Sequence, residues 1–156
     1  MSMTDRFLVQ AVKLARKNVR NGGRPFGAVV VRGDTVIAEG VNEVTSTRDP
    51  TAHAELLAIR AASRALATER LEDCRVYASG HPCPMCLSAM YLSGIAEAVY
   101  AYTNEDGAPY GLSTAAIYAE LTKPLAAQAL KIRHTPVRCD GTHPYEMWRA
   151  ASLGSP

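Results

Sequence analysis

The hydrophobic residues near the start of the chain recur at helical spacing. Over residues 4–21 they fall on one side of a 3.6-residue period, which predicts an amphipathic helix. Thr4 is the expected N-cap, and Gly22 with Gly23 is expected to end the helix. The opposite side carries Lys and Arg side chains, and we interpret it as a solvated helix face.

The pattern then changes to that of strands. Residues 27–32 and 35–39 are rich in β-branched side chains, and Gly33-Asp34 between them predicts a hairpin. Val29, Val30 and Val31 are consecutive, so the first strand is expected to be buried on both faces.

The middle of the chain alternates between the two patterns. Helices are predicted over residues 49–68 and 83–93, and strands over 75–79 and 98–102. A strand, a helix and a strand joined by short links predict a parallel crossover. Gly94 follows the second of these helices and is expected to terminate it.

The last third has a weaker pattern. It predicts a loop over 103–112, a short helix over 114–121, a helical turn over 126–130, a strand over 131–138 and a final helix over 144–151. No repeat or linker divides the chain, so we expect a single domain over residues 1–156. The predicted fold class is α/β, a three-layer α/β/α sandwich around a mixed five-stranded sheet.

Composition and charge limit the classes of protein to which the chain can belong. Hydrophobic residues make up 47% and charged residues 21% of the chain, as in ordinary globular proteins. The net charge of +2 is too small to favour a nucleic-acid partner. No apolar run approaches the length of a membrane span, and the first residues lack the apolar core of a secretory signal. We therefore expect a cytoplasmic protein without a membrane partner.

Two short motifs carry the candidate chemistry. His53-Ala54-Glu55 lies at the start of one predicted helix, and Pro82-Cys83-Pro84-Met85-Cys86 at the start of the next. Helix N-termini expose unpaired N–H groups and a partial positive charge, which lowers the pKa of thiols. Cys83 and Cys86 are three residues apart and lie on one side of the turn. With one histidine they make a Cys₂His set that holds Zn²⁺ and leaves a tetrahedral position open.

Glu55 is the candidate for proton transfer. Bound Zn²⁺ lowers the pKa of water to about 7, but hydrolysis also needs a group that moves protons. His53 and Glu55 are roughly 200° apart around a helix, so they converge only beyond the helix end.

Each motif alone has a plainer interpretation. A histidine at a helix start is often a surface or capping residue, and a Cys-x-x-Cys pair can be redox-active or buried. A metal-free thiol protein therefore stays open, and so does a structural zinc module in which His81 or Cys74 supplies the fourth ligand. The two motifs together favour a catalytic zinc site.

The chain resembles the zinc-dependent cytidine deaminase superfamily, whose signature is His-x-Glu followed by Pro-Cys-x-x-Cys. Within it the chain is most similar to bacterial guanine deaminases. The segments that carry this likeness are Pro25–Val31, Asn42, Asp49–Glu55, Pro82–Cys86 and Tyr145–Arg149.

The resemblance implies a hydrolytic deaminase with a cytidine deaminase-like fold and one Zn²⁺ per chain. It assigns the metal to His53, Cys83 and Cys86 and proton transfer to Glu55. It also implies that Asn42, Phe26 and Ala54 contact the substrate. The family further implies a homodimer, in which a C-terminal segment of about 140–156 is exchanged between subunits.

Three departures from the family pattern concern the substrate. Gly111-Leu112-Ser113-Thr114 lacks the carboxylate that guanine deaminases carry there, and Asp106 or Glu105 is the candidate for a second proton carrier. His81 stands where the family has Glu. It is close enough to the zinc motif to tune the pocket or to compete as a ligand, but a histidine that faces solvent or lies outside the metal ligands is the favoured interpretation. The chain also ends without the aromatic residue that covers the base.

The expected partner is a small aminated heterocycle. Guanine, converted to xanthine and ammonia, is the first candidate substrate. Cytosine, an s-triazine or a pterin is an alternative, and a tRNA adenosine deaminase is a further one.

Overall fold

The computed structural model describes residues 1–154, so Ser155 and Pro156, the last residues of the predicted exchanged segment, lie outside it. The chain divides into two compact units, the first ending at Lys123 and the second beginning at Pro124. A single domain over residues 1–156 stays a prediction.

A mixed sheet organises the first unit. Its spatial order is β2-β1-β3-β4, with β1 antiparallel to both neighbours and β3 parallel to β4. The parallel crossover predicted from the sequence is thereby confirmed. The strands are β1 (Gly27–Arg32), β2 (Thr35–Val41), β3 (Cys74–Gly80) and β4 (Glu97–Tyr102).

The sheet has four strands among the described residues, not the predicted five. The expected strand over 131–138 does not form, and its residues are exposed throughout. Pro136 has no backbone N–H to donate to a neighbouring strand. Alternation of apolar and polar residues indicates a strand only where one face of that strand is buried.

The first helix, α1 (Met3–Arg20), covers one face of the sheet. Its N-cap is Ser2 rather than Thr4, because Ser2 and Asp5 form a reciprocal capping box with hydrogen bonds of 3.1 and 3.0 Å. Phe7 packs against Tyr77 of β3 with ring centroids 5.1 Å apart. This cluster also contains Val29 and Val31.

The second face of the sheet is covered by α3 (Ala54–Leu66) and α4 (Pro84–Ser93). Val30 points to this side, so β1 is buried on both faces, as its consecutive valines predict. Two helical layers around one sheet give the expected three-layer sandwich.

The helix α3 begins at Ala54, later than the predicted start at Asp49. Asp49 instead closes a short turn, because its Oδ1 atom accepts hydrogen bonds from the backbone N–H and the hydroxyl of Thr51 at 2.8 and 2.7 Å. This turn leaves His53 in extended conformation as the N-cap of α3.

The remaining elements are short. The predicted loop over 103–112 contains helical turns, because Thr103 and Asp106 form a second capping box. None of the described helices is long and apolar enough to cross a membrane. The short elements are α2 (Val44–Thr47), α5 (Asn104–Gly107), a 3₁₀ turn (Ala108–Tyr110), α6 (Ala115–Leu121), a 3₁₀ turn (Leu125–Ala127) and α7 (Pro144–Leu153).

Candidate metal centre

Three potential ligand atoms converge at the N-termini of α3 and α4. His53 is the N-cap of α3, Cys83 is the N-cap of α4, and Cys86 lies in the first turn of α4. The Nδ1 atom of His53 lies 3.4 Å from Cys83 Sγ and 3.6 Å from Cys86 Sγ. Among residues 1–154 this is the one group of three or more potential ligand side chains whose donor atoms all lie within 4.8 Å of one another.

These distances suit a tetrahedral zinc ion. Bonds of about 2.3 Å to sulfur and about 2.05 Å to nitrogen place the two donor atoms about 3.5 Å apart at the tetrahedral angle. The four cysteines are free thiols, so Cys83 and Cys86 are not bonded to each other. The donor set therefore fits one zinc ion and leaves a coordination position for water.

The groups around Cys83 favour the thiolate form of its side chain. Its hydrogen bond with Cys86 and its contact with His53 hold the pKa of the Cys83 thiol well below its ordinary value. The same hydrogen bond, together with burial, raises the pKa of Cys86. The hydrogen bond to Cys83 also raises the pKa of His53.

Glu55 lies beside the donor atoms in the first turn of α3. Only 6% of it is exposed, and its Oε2 atom lies 3.6 Å from Cys86 Sγ. Burial raises the pKa of Glu55, so its neutral form is favoured more than that of an exposed carboxyl group. A carboxyl group whose pKa is raised in this way is suited to accept a proton and return it.

A cavity of about 140 Å³ opens onto this centre. The predicted contacts Asn42 and Phe26 line it, whereas Ala54 is fully buried and is not among its lining residues. Asn42 uses its Oδ1 atom to accept a hydrogen bond of 3.1 Å from Val44 N. The lining residues are Arg24, Phe26, Asn42, His53, Glu55, His81, Cys83, Gly111, Leu112, Ser113 and Thr114.

The predicted second proton carriers lie elsewhere. Asp106 accepts hydrogen bonds from the backbone N–H and the hydroxyl of Thr103 at 2.8 and 3.0 Å. It lines a neighbouring cavity of about 460 Å³ and not the cavity at the metal centre, which Glu105 does not line either. A role for Asp106 or Glu105 in proton transfer stays a prediction.

His81 lines both cavities but is not one of the three converging donors. Its ring makes edge contacts with Tyr100 and Tyr118, at centroid distances of 4.6 and 5.3 Å. The hydroxyl of Tyr118 donates to the backbone oxygen of Pro82, which holds the segment just before Cys83.

Arg24 lines the cavity although no motif in the sequence assigned it there. Its position directly before Pro25 and Phe26 was the available signal, because Phe26 itself was expected to line the pocket. The loop of Gly111 and Leu112 also lines the cavity, and it is the stretch where the family resemblance indicated a carboxylate that this chain lacks.

Comparison with known proteins identifies the family. Residues 1–102 match the model of the cytidine and deoxycytidylate deaminase zinc-binding region. All three converging donors lie within the matched segment. The chain belongs to this deaminase family.

Its relatives extend the match along the chain. Guanine deaminase of Bacillus subtilis is 42% identical over 144 residues, covering 92% of this chain and 92% of that one. The crystal structure of that enzyme matches with a TM-score of 0.86 and 41% identity, over 94% of this chain and 93% of that one. The fold is therefore the expected cytidine deaminase-like α/β fold.

Two further relatives match a smaller part of the chain. A tRNA-specific adenosine deaminase of Aquifex aeolicus is 40% identical over 94 residues, covering 60% of this chain and 62% of that one. A variant of the protein NE0047 in complex with 8-azaguanine matches with a TM-score of 0.68 and 31% identity, over 71% of this chain and 64% of that one.

The protein is a zinc-dependent hydrolytic deaminase. The family match and the donor geometry agree on one zinc ion as cofactor. The enzyme assignment therefore replaces the metal-free thiol protein and the structural zinc module as interpretations of the cysteine pair.

Proposed function

We propose that the enzyme deaminates a free nucleobase, with guanine as the first substrate and xanthine and ammonia as products. The observation that carries this proposal is the buried Glu55 carboxyl group beside the His53, Cys83 and Cys86 donors, at one small cavity. The likeness to a guanine deaminase over 92% of the chain supports guanine over other rings.

The residues of the centre have two roles in the proposed hydrolysis, zinc binding and proton transfer. In our proposal His53, Cys83 and Cys86 hold the zinc ion, which supplies a water molecule of lowered pKa when bound. Glu55 would accept one proton from the water as its oxygen bonds to the ring carbon, and would deliver that proton to the ring nitrogen. It would then take the second proton from the hydroxyl group on that carbon and deliver it to the amine as the C–N bond breaks. One water is consumed, one C–N bond breaks and one ammonia leaves.

The cavity is sized for a single planar ring. Its volume of about 140 Å³ is below the roughly 300–1,000 Å³ of pockets for drug-sized ligands. Phe26 offers an aromatic surface to a planar ring, and Asn42 keeps its Nδ2 donor free of protein acceptors among the described residues. These two contacts support the substrate-binding roles proposed for both residues; the contact with Ala54 rests on the family resemblance alone.

A tRNA adenosine deaminase is the second candidate, because the chain is 40% identical to such an enzyme over 94 residues. Deamination within tRNA requires phosphate contacts, and the exposed basic face of α1 is the available surface. Binding of tRNA that weakens steeply with salt would favour this candidate, and no binding at low salt would exclude it.

We further propose that the enzyme is a cytoplasmic homodimer. Support for a dimer comes from α7, where Tyr145, Trp148 and Leu153 are 79%, 72% and 82% exposed. Exposed aromatic and aliphatic side chains on one short helix are typical of a surface that another chain covers. A monomer by light scattering at micromolar concentration would contradict the dimer and the exchange of residues 140–156.

A substrate panel tests the reaction. The zinc-loaded enzyme is assayed for ammonia release from guanine, cytosine, adenine, isoguanine, ammeline and a pterin, with the Glu55→Gln variant as control. We expect guanine to have the highest kcat/KM and the variant to release no ammonia above background. Absence of turnover on every ring by zinc-loaded enzyme would contradict the proposal.

A further inference from the structure

One buried side-chain amide joins two segments that form a wall of the cavity at the metal centre. Asn18 lies near the end of α1, and only 9% of it is exposed. Its Nδ2 group donates hydrogen bonds of 2.8 Å to the backbone oxygens of Arg24 and Asn42. Both acceptors are carbonyl oxygens, so the amide makes the two bonds through its nitrogen and its orientation is fixed. These two bonds are called the Asn18 bridge below.

The two bridged segments carry the substrate contacts of the proposed function. Asn42 itself and Phe26, two residues after Arg24, line the cavity at the metal centre. Asn18 is not among the described residues that line it. The backbone N–H of Asn42 also donates to the Phe26 oxygen at 3.1 Å. The Asn18 bridge therefore holds Phe26 and Asn42 relative to each other from outside the cavity.

The amide is closely packed as well as hydrogen-bonded. A Cβ atom on Gly23 would lie 2.5 Å from Asn18 Nδ2, so the backbone of Gly23 lies directly against the amide. The backbone N–H of Gly23 also donates to the Asn18 backbone oxygen at 2.8 Å. From β3, the buried Ser79 uses its Oγ atom to accept a bond of 3.0 Å from the N–H of Gly27. The segment around Phe26 is thereby held from both α1 and β3.

We propose that Asn18 is a positioning residue, which sets the relative placement of Phe26 and Asn42 and thereby the affinity of the site for a ring. This inference rests on the proposed function, because it acts through the substrate contacts named there. The zinc donors and Glu55 lie on α3 and α4, and the bonds of the Asn18 bridge go to neither helix. Loss of the bridge therefore raises KM and changes kcat little, which is the pattern of lost ground-state binding.

Two variants remove the Asn18 bridge in different ways. Asn18→Ala removes the amide, whereas Asn18→Asp keeps its shape and places a carboxylate, which has no donor, against two carbonyl oxygens. Asn21→Ala is the matched control, because Asn21 is exposed directly after the same helix. Phe7→Leu is the control for stability, because Phe7 is buried on α1 against Tyr77 and takes no part in the bridge.

Steady-state kinetics on guanine give the first measurement, after circular dichroism and zinc content have established that each variant is folded and loaded. We expect Asn18→Ala and Asn18→Asp to raise KM about fivefold to tenfold, as for the loss of one or two hydrogen bonds, and to leave kcat within about threefold. Asn21→Ala and Phe7→Leu are expected to leave KM unchanged. If Asn18→Asp does not fold, Asn18→Ala carries the test.

Amide hydrogen exchange gives a second measurement that needs no substrate. In Asn18→Ala we expect the protection of the Asn42 N–H to fall about tenfold, because the segment that carries it opens more often. The N–H of Leu57, which donates to His53 O at 3.0 Å in α3, is expected to keep its protection. A general loss of stability would instead lower the protection of both.

The outcomes separate the two proposals. Unchanged exchange at Asn42 in Asn18→Ala, or a fall in kcat with KM unchanged, would overturn the positioning role. An equal rise of KM in Phe7→Leu would assign the effect to stability and overturn that role too. No ammonia from any ring with the wild type, together with lost protection at Asn42 in Asn18→Ala, would overturn the proposed reaction and support the bridge.

Discussion

The Oε2 atom of Glu55 lies 3.6 Å from the Sγ atom of Cys86, although the residues are 31 positions apart. Their proximity follows from the meeting of two helix N-termini, those of α3 and α4. A buried carboxyl group is thereby placed beside a potential metal ligand.

Removal of one ligand is expected to release the metal. In Cys83→Ala and Cys86→Ala the centre retains two donors, and we expect zinc to be lost on gel filtration, as measured by mass spectrometry of the metal. Zinc at a free concentration of a thousand times its Kd stabilises the folded protein, so loss of zinc binding lowers the free energy of unfolding by about 4 kcal/mol. Cys139→Ser is the control, because Cys139 is exposed and outside the centre. Full zinc retention in both alanine variants would contradict the assigned ligands.

Gly40 lies where β2 approaches α3, and we expect this position not to tolerate a side chain. A Cβ atom there would lie 2.2 Å from the backbone oxygen of Ala54 and 2.7 Å from Ala58 N. Gly40→Ala must therefore displace the helix that carries Glu55, at a cost of about 1–3 kcal/mol. Urea unfolding measures this change. Gly107→Ala is the control, because its added Cβ would meet atoms only at 3.5 Å or more, and equal stability of the two variants would contradict the argument.

The Asp49 turn ahead of His53 should contribute to acid sensitivity. Hydrogen bonds from the hydroxyl and backbone N–H of Thr51 lower the pKa of Asp49 below 3.8. Its stabilising contribution is therefore complete above the unfolded pKa and is lost as the pH falls through the folded pKa. We expect the stability difference between wild type and Asp49→Ala to be constant between about pH 5 and 7 and to shrink below pH 3.8. A difference that grows on acidification would contradict this sign.

Asp106 offers a test of the sequence-based second proton carrier. The structure gives it a cap on α5, so Asp106→Ala and Thr103→Val should each lower stability by about 1 kcal/mol. If capping is its whole role, the two variants will have similar kcat values. A kcat far lower in Asp106→Ala than in Thr103→Val would indicate proton transfer by Asp106.

Local patterns predicted the parts of the fold that local physics determines. The valines of β1 indicated a strand buried on both faces, and the spacing of Cys83 and Cys86 indicated a shared ligand site, and both are observed. The end of α4 at Gly94 also follows from local conformational preference, since Gly94 adopts a φ of 75°.

The errors arose where side chains form hydrogen bonds that a hydrophobic pattern does not contain. The caps at Ser2 and Thr103 and the turn at Asp49 moved helix boundaries or created a helical turn. The cavity depends on tertiary placement in the same way. The proximity of Arg24 and Thr114 joins segments distant in sequence, so no local period predicts it.

The most direct test is a paired measurement of zinc and ammonia on Glu55→Gln. Glutamine keeps the shape of the side chain but does not carry protons, so zinc should remain at one equivalent per chain while ammonia release from guanine falls by at least about a hundredfold. Turnover near the wild-type rate in the zinc-loaded variant would contradict the account of this site.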